Sequence, residues 1–295
     1  MSGPVAAGNA AKTLAQAKIN LFLRVLGKDA TGYHFIETLF LRLDLGDDVT
    51  VRVNDLGRAI DCDGLDGVPP EKNLAFRAAE SYAAATGWPR GFSIEITKHV
   101  PAGTGLGGGS ADAAAVLRIL NTLAPEPLDP QSLLDLALLL GADVPFLASD
   151  ATMAFAWGRG ERMMLLDPLP KKPVLIAVPD FAVSTADAYA ALDRAGGSAV
   201  SCGVVSVDEL TSWSSVAESS CNAFESVVAA NHPEIHRLIS TFKLCGAEIS
   251  RMTGSGSAIF AVFKDLPLAL PMMNSRITLL TTRTASSVVP VTVLG

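Results

Sequence analysis

Apolar and polar positions alternate from Ala17 to Leu26 and again from Phe40 to Val53, around the step Gly46-Asp47-Asp48. A period of two predicts half-buried strands, and the Gly-Asp-Asp step predicts a hairpin turn between them. A third alternating run, Phe92 to Val100, sets Phe92, Ile94 and Ile96 against Ser93, Glu95 and Thr97. Asn73 to Thr86 is Ala-rich and is followed by Gly87 and Pro89, the punctuation that stops a helix. Ser110 to Leu123 predicts a second helix, with Val116, Ile119, Leu120 and Leu123 on one face and Ser110 as its N-cap. Gln131 to Leu140 predicts a third, closed by Gly141. Pro145 biases Val144 toward extended geometry, which leaves Asp143 on a turn.

The pattern breaks at Pro170-Lys171-Lys172-Pro173, and a new strand is predicted from Val174 to Val178. Helices follow at Thr185 to Leu192, Phe224 to Ala230 and His236 to Phe242. Two strands are expected around Thr253-Gly254-Ser255-Gly256-Ser257. These elements divide the chain into a flexible extension (1–16), an N-terminal domain (17–170) and a C-terminal domain (171–295). Each domain is read as antiparallel sheet with helices on one side, an α+β class.

The chain has 295 residues, 49% hydrophobic and 18% charged, enough apolar side chain for two packed cores. A net charge of −7 without a dense Lys/Arg tract excludes nucleic-acid binding as the main activity. No apolar stretch approaches the ~20 residues that span a bilayer. The first sixteen residues lack the charged start and apolar centre of a secretory signal, so a frayed extension is expected, with a transit peptide as the alternative. Cys62, Cys202, Cys221 and Cys245 are widely spaced, without Cys-x-x-Cys or nearby His, and read as reduced thiols of a cytoplasmic protein.

The segment Pro101-Ala102-Gly103-Thr104-Gly105-Leu106-Gly107-Gly108-Gly109-Ser110 carries five glycines between a predicted strand and a predicted helix. Such a loop lets backbone N–H groups converge beside the positive end of the helix, which makes an anion cradle. Gly103, Gly105 and Gly108 also satisfy the dinucleotide-binding spacing. That loop, however, should follow a continuously apolar parallel strand, whereas Phe92 to Thr97 alternates. A Walker loop is excluded because no Gly-Lys-Ser/Thr follows the glycines.

Five motifs occur together in one order: Ala17-Lys18-Ile19-Asn20, Gly32-Tyr33-His34, the glycine loop, Gly141-Ala142-Asp143-Val144-Pro145 and Thr253-Gly254-Ser255-Gly256. From Ala17 to Phe263 the chain resembles the galactokinase, homoserine, mevalonate and phosphomevalonate kinase superfamily, and within it the diphosphocytidyl-methylerythritol kinases. The resemblance implies a two-domain kinase whose first domain is similar to the ribosomal protein S5 domain 2-like fold, with a ferredoxin-like α+β second domain. It implies ATP and Mg2+, and a small-molecule substrate, 4-diphosphocytidyl-2-C-methyl-D-erythritol. It gives Asp143 the role of base and Lys18 that of charge stabilisation, with Pro101 to Ser110, Ala111 and Asn73 at the nucleotide. Asn20, Tyr33, His34, Thr185 and Tyr189 fall to the acceptor substrate. The residue types suit phosphoryl transfer, which needs a proton acceptor and a cation beside a phosphate cradle. The motifs depart from the family's pattern at Thr31, Ala111, Ala223 and Ser257. Ala111 replaces a hydroxyl near the phosphates, so no metal ligand is assigned. A sister kinase, a nucleotide-binding module without turnover and a dinucleotide oxidoreductase are the rival readings.

Overall fold

The computed structural model describes residues 8–28, 30–64, 68–196, 206–267 and 276–295. Two long strands, β1 (Ala10–Lys28) and β2 (His34–Asn54), form the spine of the first sheet. β2 is continuous through Gly46-Asp47-Asp48, so the expected hairpin turn there does not form. Gly46 is needed for close approach instead: a Cβ at this position would lie 2.6 Å from the Ala15 carbonyl oxygen. Asp47 is fully buried, and its carboxylate accepts from the backbone N–H of His99 and Val100.

The sheet is completed by β3 (Arg58–Cys62), β4 (Gly91–Thr97), β5 (Met153–Gly158) and β6 (Arg162–Leu166). The near half of β2 pairs with β5 and its far half with β4, so one long strand serves two neighbours. β3 and β4 run parallel; the other pairs are antiparallel. Helices α1 (Leu74–Thr86), α2 (Gly108–Leu123), α3 (Pro130–Leu138) and α4 (Val144–Ala148) accompany this sheet. Their apolar faces share one core with Phe40, Val49, Val51, Phe92 and Ile94. Asn73 caps α1 by accepting from Ala75 N–H, and Gly87 ends it in the left-handed conformation.

The second sheet contains β7 (Pro173–Pro179), β8 (Ile249–Met252), β9 (Ile259–Val262) and β10 (Ile277–Arg283). Its order, β10-β7-β9-β8 with all pairs antiparallel, is the 4-1-3-2 arrangement of a ferredoxin-like sheet. Helices α5 (Thr185–Arg194), α6 (Trp213–Ser219), α7 (Glu225–Asn231) and α8 (Glu234–Leu244) lie between β7 and β8 in the chain. Ile235, Leu238, Ile239 and Phe242 of α8 pack on Leu175, Ala177, Ile259 and Ala261.

Four expectations are corrected here. Residues 10–16, assigned to a flexible extension, are strand, because they pair with β2 and with the last strand, β11 (Thr292–Leu294). β11 returns the C-terminus to the first sheet, so the two sheets do not divide the chain at a single point. Val144 opens α4 instead of being extended, since Pro145 fills an N-terminal helix position where its missing N–H costs nothing. Cys62 and Cys245 are free, but Cys221 is disulfide-bonded, against the reading of four reduced thiols; Cys202 lies outside the described residues.

Candidate active site

The pairing of β1 with β2 slips between Gln16 and Lys18 and again between Asn20 and Phe22. Lys18 and Asn20 occupy the short stretch between these irregularities, and each is only 3% exposed. A buried ammonium requires partners. Lys18 Nζ stands 3.1 Å from Asp143 Oδ2, donates to Asn20 Oδ1 at 2.8 Å, and lies 5.4 Å from the centroid of the Phe40 ring. Asp143 is the N-cap residue of α4. Its side chain is 32% exposed, so the carboxylate that faces the buried ammonium also faces the solvent.

Asn20 ties the two sheets together. Its Oδ1 accepts from Gly254 N–H at 3.0 Å and from the Thr253 hydroxyl at 3.1 Å, and its Nδ2 donates to Thr38 Oγ1 at 2.7 Å. Thr253 and Gly254 follow β8, so this link reaches from the second sheet into the heart of the first.

The glycine loop runs from β4 to α2 against these residues. Leu106 is buried, and its carbonyl accepts from Lys18 N–H at 2.9 Å. Thr104 accepts from Ala258 N–H at 3.1 Å. Gly105 has φ of +83°, and a Cβ there would come within 2.1 Å of the Thr253 carbonyl oxygen. Gly107 is the N-cap of α2, so Ser110 is a first-turn residue and not the cap that was expected. The N–H groups of that first turn have no acceptor within the helix and present a partial positive charge.

One cavity of about 490 Å³ gathers Lys18, Asn20, Tyr33 and Asp143 with Pro101, Gly103, Thr104, Gly105 and Gly107 to Ser110. Thr185 and Tyr189 of α5 face it as well. Ala102, Leu106, Ala111, Asn73 and His34 do not line it. Leu106 and Ala111 are buried beneath the loop, and Leu74 rather than Asn73 reaches the cavity. His34 stands behind Tyr189, the rings stacked at 4.4 Å with an interplanar angle of 26°.

Phe40, Arg159, Phe224 and Ser255 also line the cavity and were missed. Arg159 lies over the Tyr33 ring at 4.6 Å, and Ser255 pairs with the Thr185 hydroxyl at 2.9 Å. Ser255 falls within the Thr253 to Ser257 segment already singled out by its composition. Phe40, Arg159 and Phe224 carry no local signal and are brought in by the long-range pairing of the sheets.

A second group lies under the loop. Lys98 Nζ meets Asp47 Oδ2 at 2.5 Å and Asp112 Oδ2 at 2.7 Å. Burial pushes the Asp112 carboxyl up to about 7, outweighing the opposing pull of Lys98. Asp112 Oδ1 is buried without a hydrogen-bond partner.

The fold and this site define a class, the GHMP kinases: residues 73–155 match the family described as "GHMP kinases N terminal domain" and residues 207–270 "GHMP kinases C terminal". A homoserine kinase structure from Cytophaga hutchinsonii shares the fold at 19% identity, with TM-score 0.73 and full coverage of both chains. The 4-diphosphocytidyl-2-C-methyl-D-erythritol kinase of Nitratidesulfovibrio vulgaris (strain DP4) is 40% identical over 84% of this chain and 88% of its own length. That of Pelotomaculum thermopropionicum is 38% identical over 87% and 90%. A crystal structure of 4-(cytidine 5'-diphospho)-2C-methyl-D-erythritol kinase superposes with TM-score 0.77 at 32% identity, covering 92% of this chain and 98% of that one. The chain belongs to the 4-diphosphocytidyl-2-C-methyl-D-erythritol kinase family.

Proposed function

We propose that this chain transfers the γ-phosphoryl group of ATP to the 2-hydroxyl of 4-diphosphocytidyl-2-C-methyl-D-erythritol, giving the 2-phosphate and ADP. This is a step of non-mevalonate isoprenoid biosynthesis in the cytoplasm. The observation that carries the reading is the Lys18–Asp143 contact of 3.1 Å beside the glycine loop. The triphosphate rests on the loop amides and the N-terminal end of α2. The acceptor hydroxyl donates to Asp143; its oxygen attacks the γ-phosphorus, the bond to the bridging oxygen breaks, and ADP leaves as the proton passes to the Asp143 carboxylate. Lys18 balances charge on the transferring oxygens, and Asn20 orients Lys18 through the 2.8 Å bond.

Asn20, Tyr33, Thr185 and Tyr189 form the acceptor side of the cavity, with His34 stacked behind Tyr189. Asn73 acts on the nucleotide indirectly, by fixing the start of α1 where Leu74 enters the cavity. Among the described residues no group of three or more His, Cys, Asp or Glu side chains is placed to hold a metal ion. Magnesium would arrive on the ATP phosphates, where it neutralises charge.

The test follows ADP release with diphosphocytidyl-methylerythritol, homoserine or mevalonate as acceptor, beside an Asp143→Asn variant. Turnover confined to the cytidine substrate and lost in the variant is expected. Preference for another acceptor would overturn the substrate, and an active variant would overturn the base.

A further inference from the structure

The surroundings of the Asn20 amide allow it one orientation. Its Nδ2 donates to Thr38 Oγ1, whose own hydrogen goes to the Phe22 carbonyl at 2.8 Å, so that hydroxyl oxygen can only accept here. Its Oδ1 accepts from the Gly254 N–H at 3.0 Å and from Lys18 Nζ at 2.8 Å. The Gly254 N–H thus keeps an oxygen, and not an amine, facing the buried ammonium. Gly254 lies in no strand or helix and has φ of +57°, so its placement depends on side chains. Asn222, which is buried, supplies them. Its Nδ2 donates to the Met252 carbonyl at 2.7 Å and to the Gly254 carbonyl at 2.9 Å, the two groups that flank the peptide carrying the Gly254 N–H. Its Oδ1 accepts from the Phe224 N–H at 2.8 Å. The backbone around Asn222 is fixed on β1: the Leu23 N–H donates to the Cys221 carbonyl at 2.8 Å, and the Ala223 N–H to the Leu23 carbonyl at 2.9 Å. One strand therefore carries Asn20 and, three residues on, the anchor of the group that aims it.

We propose that Asn222 is a positioning residue for phosphoryl transfer, holding the Thr253–Gly254 turn so that the Gly254 N–H turns the Asn20 oxygen toward Lys18. Without the two hydrogens that Asn222 donates, the Gly254 peptide can rotate and the Asn20 amide can present its Nδ2 to the ammonium. Lys18 then loses the contact that aims it beside Asp143. Side-chain networks of this kind are apportioned cleanly by double-mutant cycles, which isolate the part that runs through Asn20. The inference rests on the reading that Lys18 and Asp143 carry the phosphoryl transfer. It adds a residue that does not line the cavity and acts only through others.

The test measures kcat and the KM for ATP of Asn222→Ser in the wild-type and Asn20→Ala backgrounds, with diphosphocytidyl-methylerythritol as acceptor. A serine hydroxyl can still accept from the N–H two residues on but cannot reach both carbonyls, so the local turn is kept and the hold on Gly254 is lost. In the wild-type background kcat should fall on the order of tenfold, the value of one hydrogen bond, with the KM for ATP unchanged. In the Asn20→Ala background, where the route to Lys18 is already cut, the same substitution should change kcat by less than about twofold. Asn222→Asp keeps the size and the acceptor and sets a carboxylate against the two carbonyls; it repeats the comparison in a second variant, and melting curves confirm that the proteins compared are folded. An equal fall in both backgrounds, the mark of a merely structural role, or an unchanged kcat in the wild-type background would overturn the role of Asn222 while leaving the kinase reading intact. A wild type without turnover on the cytidine substrate would instead sink that reading and, with it, the positioning role built on it.

Discussion

Arg42 donates from Nη2 to the carbonyl oxygen of Phe146 at 2.7 Å and lies 5.0 Å from the centroid of the same residue's ring. The same guanidinium reaches the Ser149 carbonyl at 2.9 Å and the Ala151 carbonyl at 2.8 Å. A helix of five residues is too short to persist alone, and its last carbonyls need donors. Arg42 supplies them at one end of α4, and Asp143 stands at the other. Phe146 also stacks on Phe40 at 5.0 Å, beneath the Lys18 ammonium. One buried side chain therefore supports both members of the Lys18–Asp143 pair.

Replacing Arg42 by Lys keeps the charge but cannot reproduce the forked contacts. Stability should fall by roughly 2–4 kcal/mol as buried carbonyls lose donors, and kcat should fall more than the KM for ATP. Urea unfolding and steady-state kinetics on the same preparation read both effects.

Lys18→Met separates catalysis from folding. The buried ammonium is replaced by an apolar chain of similar length, and the Asp143 carboxylate it leaves behind is partly exposed and can be solvated, so the loss of stability should stay small. Turnover should drop by about 10²–10⁴-fold. A variant that loses activity only because it unfolds would contradict the role given to Lys18, and thermal melting distinguishes the two.

Gly105→Ala should be destabilised by roughly 1–3 kcal/mol, because it combines a positive φ with a Cβ pressed on the Thr253 carbonyl. Gly109→Ala is the control. It has open space and a helical position, so its stability should stay within about 0.5 kcal/mol of wild type. Denaturant midpoints of the two variants, measured side by side, check the contrast.

The Asp112 carboxyl titrates near 7 in the folded chain, above its ordinary value of 3.8. Between about pH 4 and pH 7 the folded state binds the extra proton, so this group's contribution to stability falls as pH rises through that window. Relative to Asp112→Asn, the wild type should lose stability from pH 4.5 to pH 8, by an amount of the order of a few kcal/mol at most. Parallel melting curves at the two pH values test the sign.

Local rules captured what depends on neighbours in the chain. Asn73 and Gly87 bracket α1 as their capping chemistry dictates, and the alternation of Phe92, Ile94 and Ile96 gave β4. The same rules misread Gly46, because a glycine that marks a turn and one that admits another strand's backbone look alike in sequence. They also misread residues 10–16, whose pairing partners, β2 and β11, lie far along the chain.

The sequence by itself carried the kinase class, through the resemblance of five motifs in one order, and made the glycine loop legible as an anion cradle, since that loop is a contiguous run whose residue types suit one task. Only the tertiary structure decided which groups complete the site: Arg42 behind α4, Thr253 against Gly105, and Asn222 against Gly254. Each of these is a contact between elements distant in sequence, set by sheet register and interdomain packing, and no local propensity encodes such a pairing.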